Sequence, residues 1–224
     1  MYNYRQDMSF FSKNVKFTAV FAVFLALFVS CSNSKPEIPY GFMNLVLYEG
    51  ESGTSERFSF FVIAEDEDGI ENLEELYLYN DKEQLRWKIK SDEWVSYTQD
   101  NKTWIGSRNI AVQEGTLPRG IYRAVIVNKG GERGERFFTY DADVRHPFPG
   151  ITIENGIYTV RSEWPINRLV CYDRSGNYIS TVDLHSLSGS VSQLNLQSSV
   201  RTVALWADDP AYYLSAFTNV VSVN

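Results

Sequence analysis

The stretch Leu76-Tyr-Leu-Tyr-Asn-Asp-Lys-Glu-Gln-Leu-Arg-Trp-Lys-Ile-Lys90 decides the fold class of this chain. Apolar residues alternate with other residues on both sides of Asn80–Glu83, which is typical of β-strands with one face against a core. Asn80–Glu83 has the composition of a tight turn. The stretch therefore predicts a β-hairpin in which Tyr77 and Tyr79 lie on the face opposite the leucines.

Strand patterns recur through the rest of the chain after Pro39, and no window of eleven residues there keeps a convincing helical period of 3.6. In the first half, further strands are predicted at 44–49, 57–64, 94–98, 102–106, 121–128 and 135–140. Pro147, Pro149 and Gly150 then mark a break. Beyond it, strands are predicted at 151–154, 157–161, 168–172, 178–182, 191–196, 200–207 and 212–223. The fold class predicted is all-β, with two small antiparallel β-sandwich units at residues 40–143 and 144–224.

The N-terminal region has the pattern of a secretory signal peptide. Phe17 to Val29 is a run of thirteen uncharged residues after a basic flank. A helix of that length spans about 20 Å, which is too short for a hydrocarbon core of about 30 Å. A basic flank, a short apolar run and a small residue before the cleavage site are the elements of a signal peptide.

The end of that run, Leu27-Phe28-Val29-Ser30-Cys31, resembles the lipobox of bacterial lipoproteins. The common pattern has Leu three residues before the Cys and Ala or Gly directly before it. Phe28 and Ser30 occupy those places, as in the relaxed lipoboxes of spirochaete lipoproteins. The resemblance implies cleavage after residue 30 and lipidation of Cys31. The alternatives are an ordinary signal with Cys31 paired to Cys171, and an uncleaved signal anchor.

Lipidation implies a place in the cell envelope, at the outer membrane or the periplasmic face of the inner membrane. The membrane is then a partner through the acyl chains on Cys31. Residues 31–39 are predicted to be the lipidated Cys and a tether, since two prolines and no apolar pattern argue against a strand.

The stretch from Gly120-Ile-Tyr122 to Gly130-Gly131 resembles the late hairpin of bacterial immunoglobulin-like and fibronectin-type domains. The acidic turn Asp66-Glu-Asp-Gly-Ile70 also resembles a turn of such domains. The resemblance covers about residues 43–140. It implies a β-sandwich that presents sheets and loops to a partner.

Composition argues against several function classes. The chain has 28 acidic and 21 basic residues, for a net charge of −7, which disfavours nucleic acid as a partner. Two Cys and two His are too few for a disulfide framework or a four-ligand zinc site, and no cofactor is predicted. The sequence has no Gly-x-Ser-x-Gly motif to supply a nucleophilic serine that His146 or His185 could activate. Cys171 lies in an apolar strand. The chain is therefore predicted not to be an enzyme.

A calcium site is a minor alternative. Asp66, Asp68 and Glu75 fall on ligand positions of an EF-hand loop when Gly69 is aligned with its glycine, but Ala64 occupies the first position. A solvated acidic loop is the preferred interpretation. A calcium-dependent adhesion module stays as an alternative.

The candidate binding surface consists of aromatic and basic residues of the first half: Tyr77, Tyr79, Trp94, Trp104, Arg86 and Lys88. Exposed aromatic side chains on a sheet stack on sugars or anchor a protein partner, although cross-strand packing is the simpler explanation. We expect a lipid-anchored protein that binds or scaffolds another envelope or host protein. A carbohydrate-binding module is the alternative.

Replacing Cys31 tests the anchor. Each buried methylene of an acyl chain contributes about 0.8 kcal/mol to membrane attachment. The Cys31→Ala variant is therefore expected to leave the detergent phase in phase partitioning, whereas the parent stays in it. Equal partitioning of the two proteins, or an unmodified mature N-terminus by mass spectrometry, would contradict lipidation.

Overall fold

A computed structural model describes residues 34–50 and 53–223, and β-strands make up nearly all of their regular structure. The all-β prediction is confirmed. The predicted signal peptide and Cys31 lie outside the described residues. In the described ranges no helix has both the length and the apolar character needed to cross a membrane.

The strands are numbered in chain order. They are β1 (Glu37–Gly50), β2 (Gly53–Glu65), β3 (Leu73–Asn80), β4 (Leu85–Lys90), β5 (Val95–Gln99), β6 (Lys102–Ile110), β7 (Gly120–Asn128), β8 (Arg133–Tyr140), β9 (Gly150–Glu154), β10 (Ile157–Arg161), β11 (Ile166–Tyr172), β12 (Tyr178–Asp183), β13 (Ser188–Ser190), β14 (Thr202–Asp209), β15 (Leu214–Phe217) and β16 (Val221–Ser222). Single 3₁₀ turns lie at Ile70–Asn72 and Val191–Leu194.

The described strands form three sheets. The main sheet has the order β12-β11-β14-β15-β1-β2-β6-β5, with β16 beside β14. The first covering sheet has the order β4-β3-β7-β8, and the second has the order β13-β10-β9. The hairpin predicted from Leu76–Lys90 is present, with Tyr77 opposite Lys88 and Tyr79 opposite Arg86.

The first core lies between the main sheet and the first covering sheet. Phe58 is fully buried there, edge-on to the rings of Tyr122 and Tyr140 at 5.4 and 4.9 Å between centroids. The Tyr122 hydroxyl donates to the carbonyl of Pro118 at 2.6 Å. Burial raises the pKa of both tyrosines to about 12. A tyrosine in this core is therefore neutral, and its hydroxyl is available as a hydrogen-bond donor.

The second core lies between the main sheet and the second covering sheet. Leu169, Cys171, Val203 and Leu205 are fully buried on the main-sheet side. Tyr158 belongs to the same core, and its hydroxyl hydrogen-bonds the Ser186 hydroxyl. This half is thus held by a smaller core of its own.

The two halves are joined by one pair of parallel strands, which we call the seam. Strand β1 pairs with β15 in the register Leu45 to Leu214 and Leu47 to Ala216. Leu214, Ala216 and Ala207 of the second half belong to the first core. The main sheet therefore crosses the predicted boundary between residues 143 and 144, and that boundary stays a prediction. The seam also departs from the antiparallel pairing expected throughout.

The predicted tether at 31–39 is corrected at its C-terminal end, because β1 begins at Glu37 and Ile38 is buried. The register with β2 shifts between Glu37 and Tyr40, and such an irregularity accommodates Pro39, which has no N–H to donate. The residues that precede β1 also contact the rest of the folded chain. Asn128 donates to the carbonyl of Ser34 at 3.1 Å.

Gly134 allows this close approach of the N-terminal segment. A Cβ atom at Gly134 would lie 1.8 Å from the carbonyl oxygen of Pro36. Strand β8 can therefore accept the segment only with a glycine at this position.

Two strand predictions in the second half are corrected. Residues 191–194 form a 3₁₀ turn, which brings Val191 and Leu194, three positions apart, to the second core. The long strand predicted at 212–223 is divided into β15 and β16. Thr218 separates them, and its hydroxyl accepts a hydrogen bond from the Leu205 N–H at 3.0 Å.

Truncating Leu45 tests whether the seam couples the two halves. Leu45 is fully buried, so Leu45→Ala is expected to lower the free energy of unfolding by about 2–5 kcal/mol. Hydrogen–deuterium exchange should then show loss of protection in β2 and in β14 together. Ile121→Ala, at a side chain that is 62% exposed, serves as the control and should change little. Loss of protection in one half alone would show that the seam does not couple the cores.

Candidate ligand-binding trough

The outer face of the main sheet is covered by neither of the two smaller sheets. In β1, Met43, Leu45 and Leu47 are buried in the first core, and the residues between them point to the opposite face. Phe42 and Tyr48 are among these outward residues and are only partly buried. A solvated sheet face normally carries polar side chains. This face instead carries rings, and it forms a cavity of about 900 Å³, which we call the trough.

One aromatic group lines the trough at the end of the main sheet where the strand order is β1-β2-β6-β5. Phe42 stacks on Phe61 at 5.8 Å between centroids, and Phe61 meets Tyr97 edge-on at 5.3 Å. Trp104, on β6, lies parallel to Tyr97 at 6.2 Å between ring centroids. Burial raises the pKa of Tyr97, so this ring is neutral at physiological pH. We call Phe42, Phe61 and Tyr97 the first aromatic group.

A second aromatic group lies across the seam. The register places Tyr48 beside Phe217 and Phe217 beside Trp206, and the rings of the first two are 6.1 Å apart. Tyr172 and Tyr178 continue the lining on β11 and β12, where the register pairs them directly. Tyr178 is 63% exposed, so its ring is open to a ligand.

A polar centre separates the two aromatic groups. Asn44 donates to the Ser215 hydroxyl at 2.9 Å, and Ser215 donates to an Asp208 carboxylate oxygen at 2.8 Å. Ser215 is 2% exposed, so this chain of hydrogen bonds forms the floor of the trough. Asn44 and Asp208 keep further hydrogen-bonding capacity toward the cavity that they line.

Positive charge is spread along the trough. Arg57 lies over the Tyr48 ring at 4.9 Å, and Arg108 lines the cavity close to Tyr97. Within residues 34–50 and 53–223, neither forms a salt bridge. Arg168 differs, since it lies over the Trp206 ring and also pairs with Asp183 and Asp208.

The sequence-predicted surface lies partly on another face of the molecule. Tyr77 and Tyr79 stack at 5.7 Å on the outer face of the first covering sheet. Lys88 lies over the Tyr77 ring and pairs with the Glu75 carboxylate, while Arg123 lies 4.5 Å from the centre of the Tyr79 ring.

The charges on this face are largely compensated. Lys88 and the Tyr77 hydroxyl, which donates to Glu75, lower the pKa of that carboxyl. Arg123 pairs with Asp81 at 2.9 Å and lowers the pKa of the Asp81 carboxyl. Cross-strand packing thus accounts for most of the contacts here.

The two tryptophans predicted with these residues lie elsewhere. Trp94 packs, partly buried, against the first core. Trp104 lies on the outer face of the main sheet, where it contacts Phe42 at 5.5 Å and supports the first aromatic group. Arg86 is exposed beside Tyr79. The six predicted residues are therefore divided among three places.

The weak calcium candidates are engaged in other contacts. One Asp66 carboxylate oxygen accepts from the Asp68 N–H at 2.9 Å and from the Asn72 amide at 3.0 Å, and the other accepts from the Asn128 amide at 3.0 Å. Burial alone would raise the pKa of Asp66, but these hydrogen bonds outweigh it, and the pKa is lowered. Glu75 is held by Lys88. Among the described residues, no three His, Cys, Asp or Glu side chains lie together as metal ligands would.

The side chains considered for nucleophilic chemistry have structural contacts. His146 Nε2 lies 2.8 Å from Asp209 Oδ2, and its ring packs against Trp164 at 5.0 Å. Cys171 is fully buried in the second core, and burial raises the pKa of its thiol. His185 is exposed in a loop.

Sequence reasoning missed most of the trough. Phe42 to Tyr48 is a run in which the residues between the core positions are themselves mostly apolar. A strand without a polar face is the sequence signal of a second buried or ligand-binding surface. That signal was present in β1 and again around Phe61, but by itself it does not identify which strands lie side by side.

No protein-family model matches this sequence, and no curated protein matches it. Distant likenesses to solved structures exist. The chain is similar to Tp47, the 47-kilodalton lipoprotein of Treponema pallidum, with 12% identity and a TM-score of 0.41 over 85% of this chain and 52% of that one. It thus spans about half of Tp47.

A second likeness is to dimeric latent PorU of Porphyromonas gingivalis, with 12% identity and a TM-score of 0.33 over 86% of this chain and 20% of that one. A third is to the Dpr11 IG1 structure, in which Dpr11 is bound to DIP-gamma, with 14% identity and a TM-score of 0.25 over 83% of this chain and all of that one. The neighbours therefore include immunoglobulin-like domains, and likenesses this distant give no information about function.

Removing the Asp66 carboxylate tests its structural role. Asp66→Ala leaves the amides of Asn72 and Asn128 without this acceptor, so we expect a loss of about 1–3 kcal/mol in the free energy of unfolding at neutral pH. The pKa of Asp66 is lower in the folded chain than in the unfolded chain. Its contribution is thus complete above the unfolded pKa and is lost as the pH falls through the folded pKa.

The measurement is urea unfolding of parent and variant across the acidic range. The difference between the two should be constant above about pH 5 and should shrink below pH 4. Addition of EDTA should not lower the melting temperature of the parent. A clear lowering by EDTA would instead support the calcium alternative.

Proposed function

We propose that this chain is a non-enzymatic ligand-binding protein of a bacterial cell envelope, held at a membrane by lipid on Cys31, and that the trough is its binding surface. The anchor rests on the lipobox-like sequence that ends at Cys31. The binding role rests on the trough. The contacts of His146 and Cys171 fit structural roles, which is in keeping with a non-enzymatic protein.

The observation that carries the proposal is an aromatic sheet face with no covering layer. Burial of aromatic surface stabilises a fold only when another layer excludes water from it. Tyr178 and Tyr213 are 63% and 57% exposed at the trough, so their rings gain little from folding. Exposed apolar surface of this kind marks an interaction site. A ligand bound in the trough would exclude water from these rings.

Two ligand classes fit this role. The first is another envelope or host protein, for which buried aromatic rings serve as anchor residues. The second is a glycan, and the specific observation in its favour is the polar centre of Asn44, Ser215 and Asp208 between two aromatic groups. A calcium-dependent adhesion role finds less support, because the Asp66 carboxylate is occupied by hydrogen bonds within the chain.

Retention of the full-length protein on purified envelope fragments tests the proposal. The chain, kept in detergent, is mixed with the fragments and sedimented. Tyr178→Ala/Tyr213→Ala removes two exposed rings of the trough and is expected to weaken retention by about tenfold, as loss of aromatic anchors does. Protease treatment of the fragments removes protein partners, and periodate treatment removes glycans with vicinal hydroxyls.

The matched control is Ile121→Ala/Phe137→Ala. These side chains are 62% and 57% exposed on the first covering sheet, so the change removes comparable apolar surface away from the trough. The control should bind as the parent does. Equal retention of the trough variant and the parent would remove the trough as the binding surface.

A further inference from the structure

We propose that the ligand of the trough is an acidic glycan chain, of the class that carries uronic-acid carboxylates. The inference rests on the proposed function in one respect, namely that the trough is the binding surface. It adds the chemical class of the ligand, which follows from the order of rings, polar groups and charges along the trough.

The first argument is the spacing of apolar and polar surface. The cavity is lined by residues from β5 at one end to β12 at the other. These eight neighbouring strands have seven spacings of about 4.8 Å and span about 34 Å. Along β1 the outward residues Phe42, Asn44 and Tyr48 follow one another, so the first aromatic group is followed by the polar centre and then by the second aromatic group. A sugar chain has the same pattern, since each ring has an apolar face of C–H groups, which packs on a π face, and a rim of hydroxyls.

The second argument is charge. Each aromatic group has one arginine without a carboxylate partner among the described residues: Arg108 is close to Tyr97, and Arg57 lies over Tyr48. The chain as a whole has a net charge of −7, and these two cations lie on the adjacent strands β2 and β6. Guanidinium groups bind carboxylates through two parallel hydrogen bonds. An anionic ligand therefore complements the part of the trough where β2 and β6 lie side by side.

The third argument separates a glycan from an acidic peptide. Both sides of β1, β14 and β15 are paired in the main sheet, so their backbone groups are used by neighbouring strands. A peptide lying across this face would bury its own N–H and C=O groups with few partners, which is costly. Peptides add to sheets at edges, where the backbone is free. Sugar hydroxyls need only side-chain partners, and Asn44 and Asp208 line the cavity.

The test is binding of two defined acidic polysaccharides, polygalacturonate and hyaluronan, by the full-length chain in detergent. Each is compared with its carboxyl-reduced form, which keeps the sugar rings and loses the charge. We expect the acidic forms to bind and the reduced forms to bind about tenfold more weakly or worse, since bonds to charged groups are lost. Arg57→Gln/Arg108→Gln should abolish this preference, and high salt should weaken it.

Arg86→Gln/Lys90→Gln is the control. It removes the same charge from the outer face of the first covering sheet and should leave the preference unchanged. Failure of both acidic polysaccharides to bind would overturn the glycan inference, and so would binding of poly-L-glutamate in their place. If Tyr178→Ala/Tyr213→Ala converted a dimer into a monomer by ultracentrifugation, the trough would be a self-interface, which also overturns it.

The outcomes for the two proposals are distinguishable. Loss of polysaccharide binding with envelope retention still sensitive to Tyr178→Ala/Tyr213→Ala would overturn the glycan class and leave the trough as a binding surface. Envelope retention that is insensitive to that variant would overturn the proposed function itself.

Discussion

The parallel pairing of β1 with β15 is the constraint on which the rest of the structure depends. It joins strands that lie about 170 positions apart in the chain, as the hydrogen bond from Asn44 to Ser215 shows. Because Leu214 and Ala216 of the second half enter the first core, the first half does not complete its packing without the second. Two cores are thereby held in a fixed relation, and the strands between them form a single surface.

The trough follows directly from that arrangement. Each covering sheet protects the inner face of the main sheet, and the opposite face of all eight ordered strands is left continuous. Neither half alone contains the site. The first aromatic group belongs to the first half, whereas Trp206 and Phe217 belong to the second, and Asn44 and Asp208 meet across the seam through Ser215. A ligand site built this way requires the fold as a whole.

Local features of the fold were predictable from the sequence, and long-range ones were not. The hairpin of Leu76–Lys90 and the turn at Asn155-Gly156 were predictable because period-two alternation and turn residues act within a few positions. The seam was not, since strands that pair side by side carry no sequence mark of their partner. The apolar outward residues of β1 signalled a second surface, but not which strands lie beside β1. The sequence prediction placed the candidate site on Tyr77 and Tyr79 because aromatic and basic residues alternate visibly there. The uncovered rings lie instead on the main sheet.

The attachment of Ser34 to Asn128 has a consequence for how the protein stands at a bilayer. Only three peptide units separate Cys31 from Ser34, and an extended chain covers at most about 3.5 Å per residue. A diacylglycerol on Cys31 would therefore keep the hairpin between β7 and β8 within about 10 Å of the lipid headgroups. The anchor would then let the body rise only a short distance from the bilayer surface.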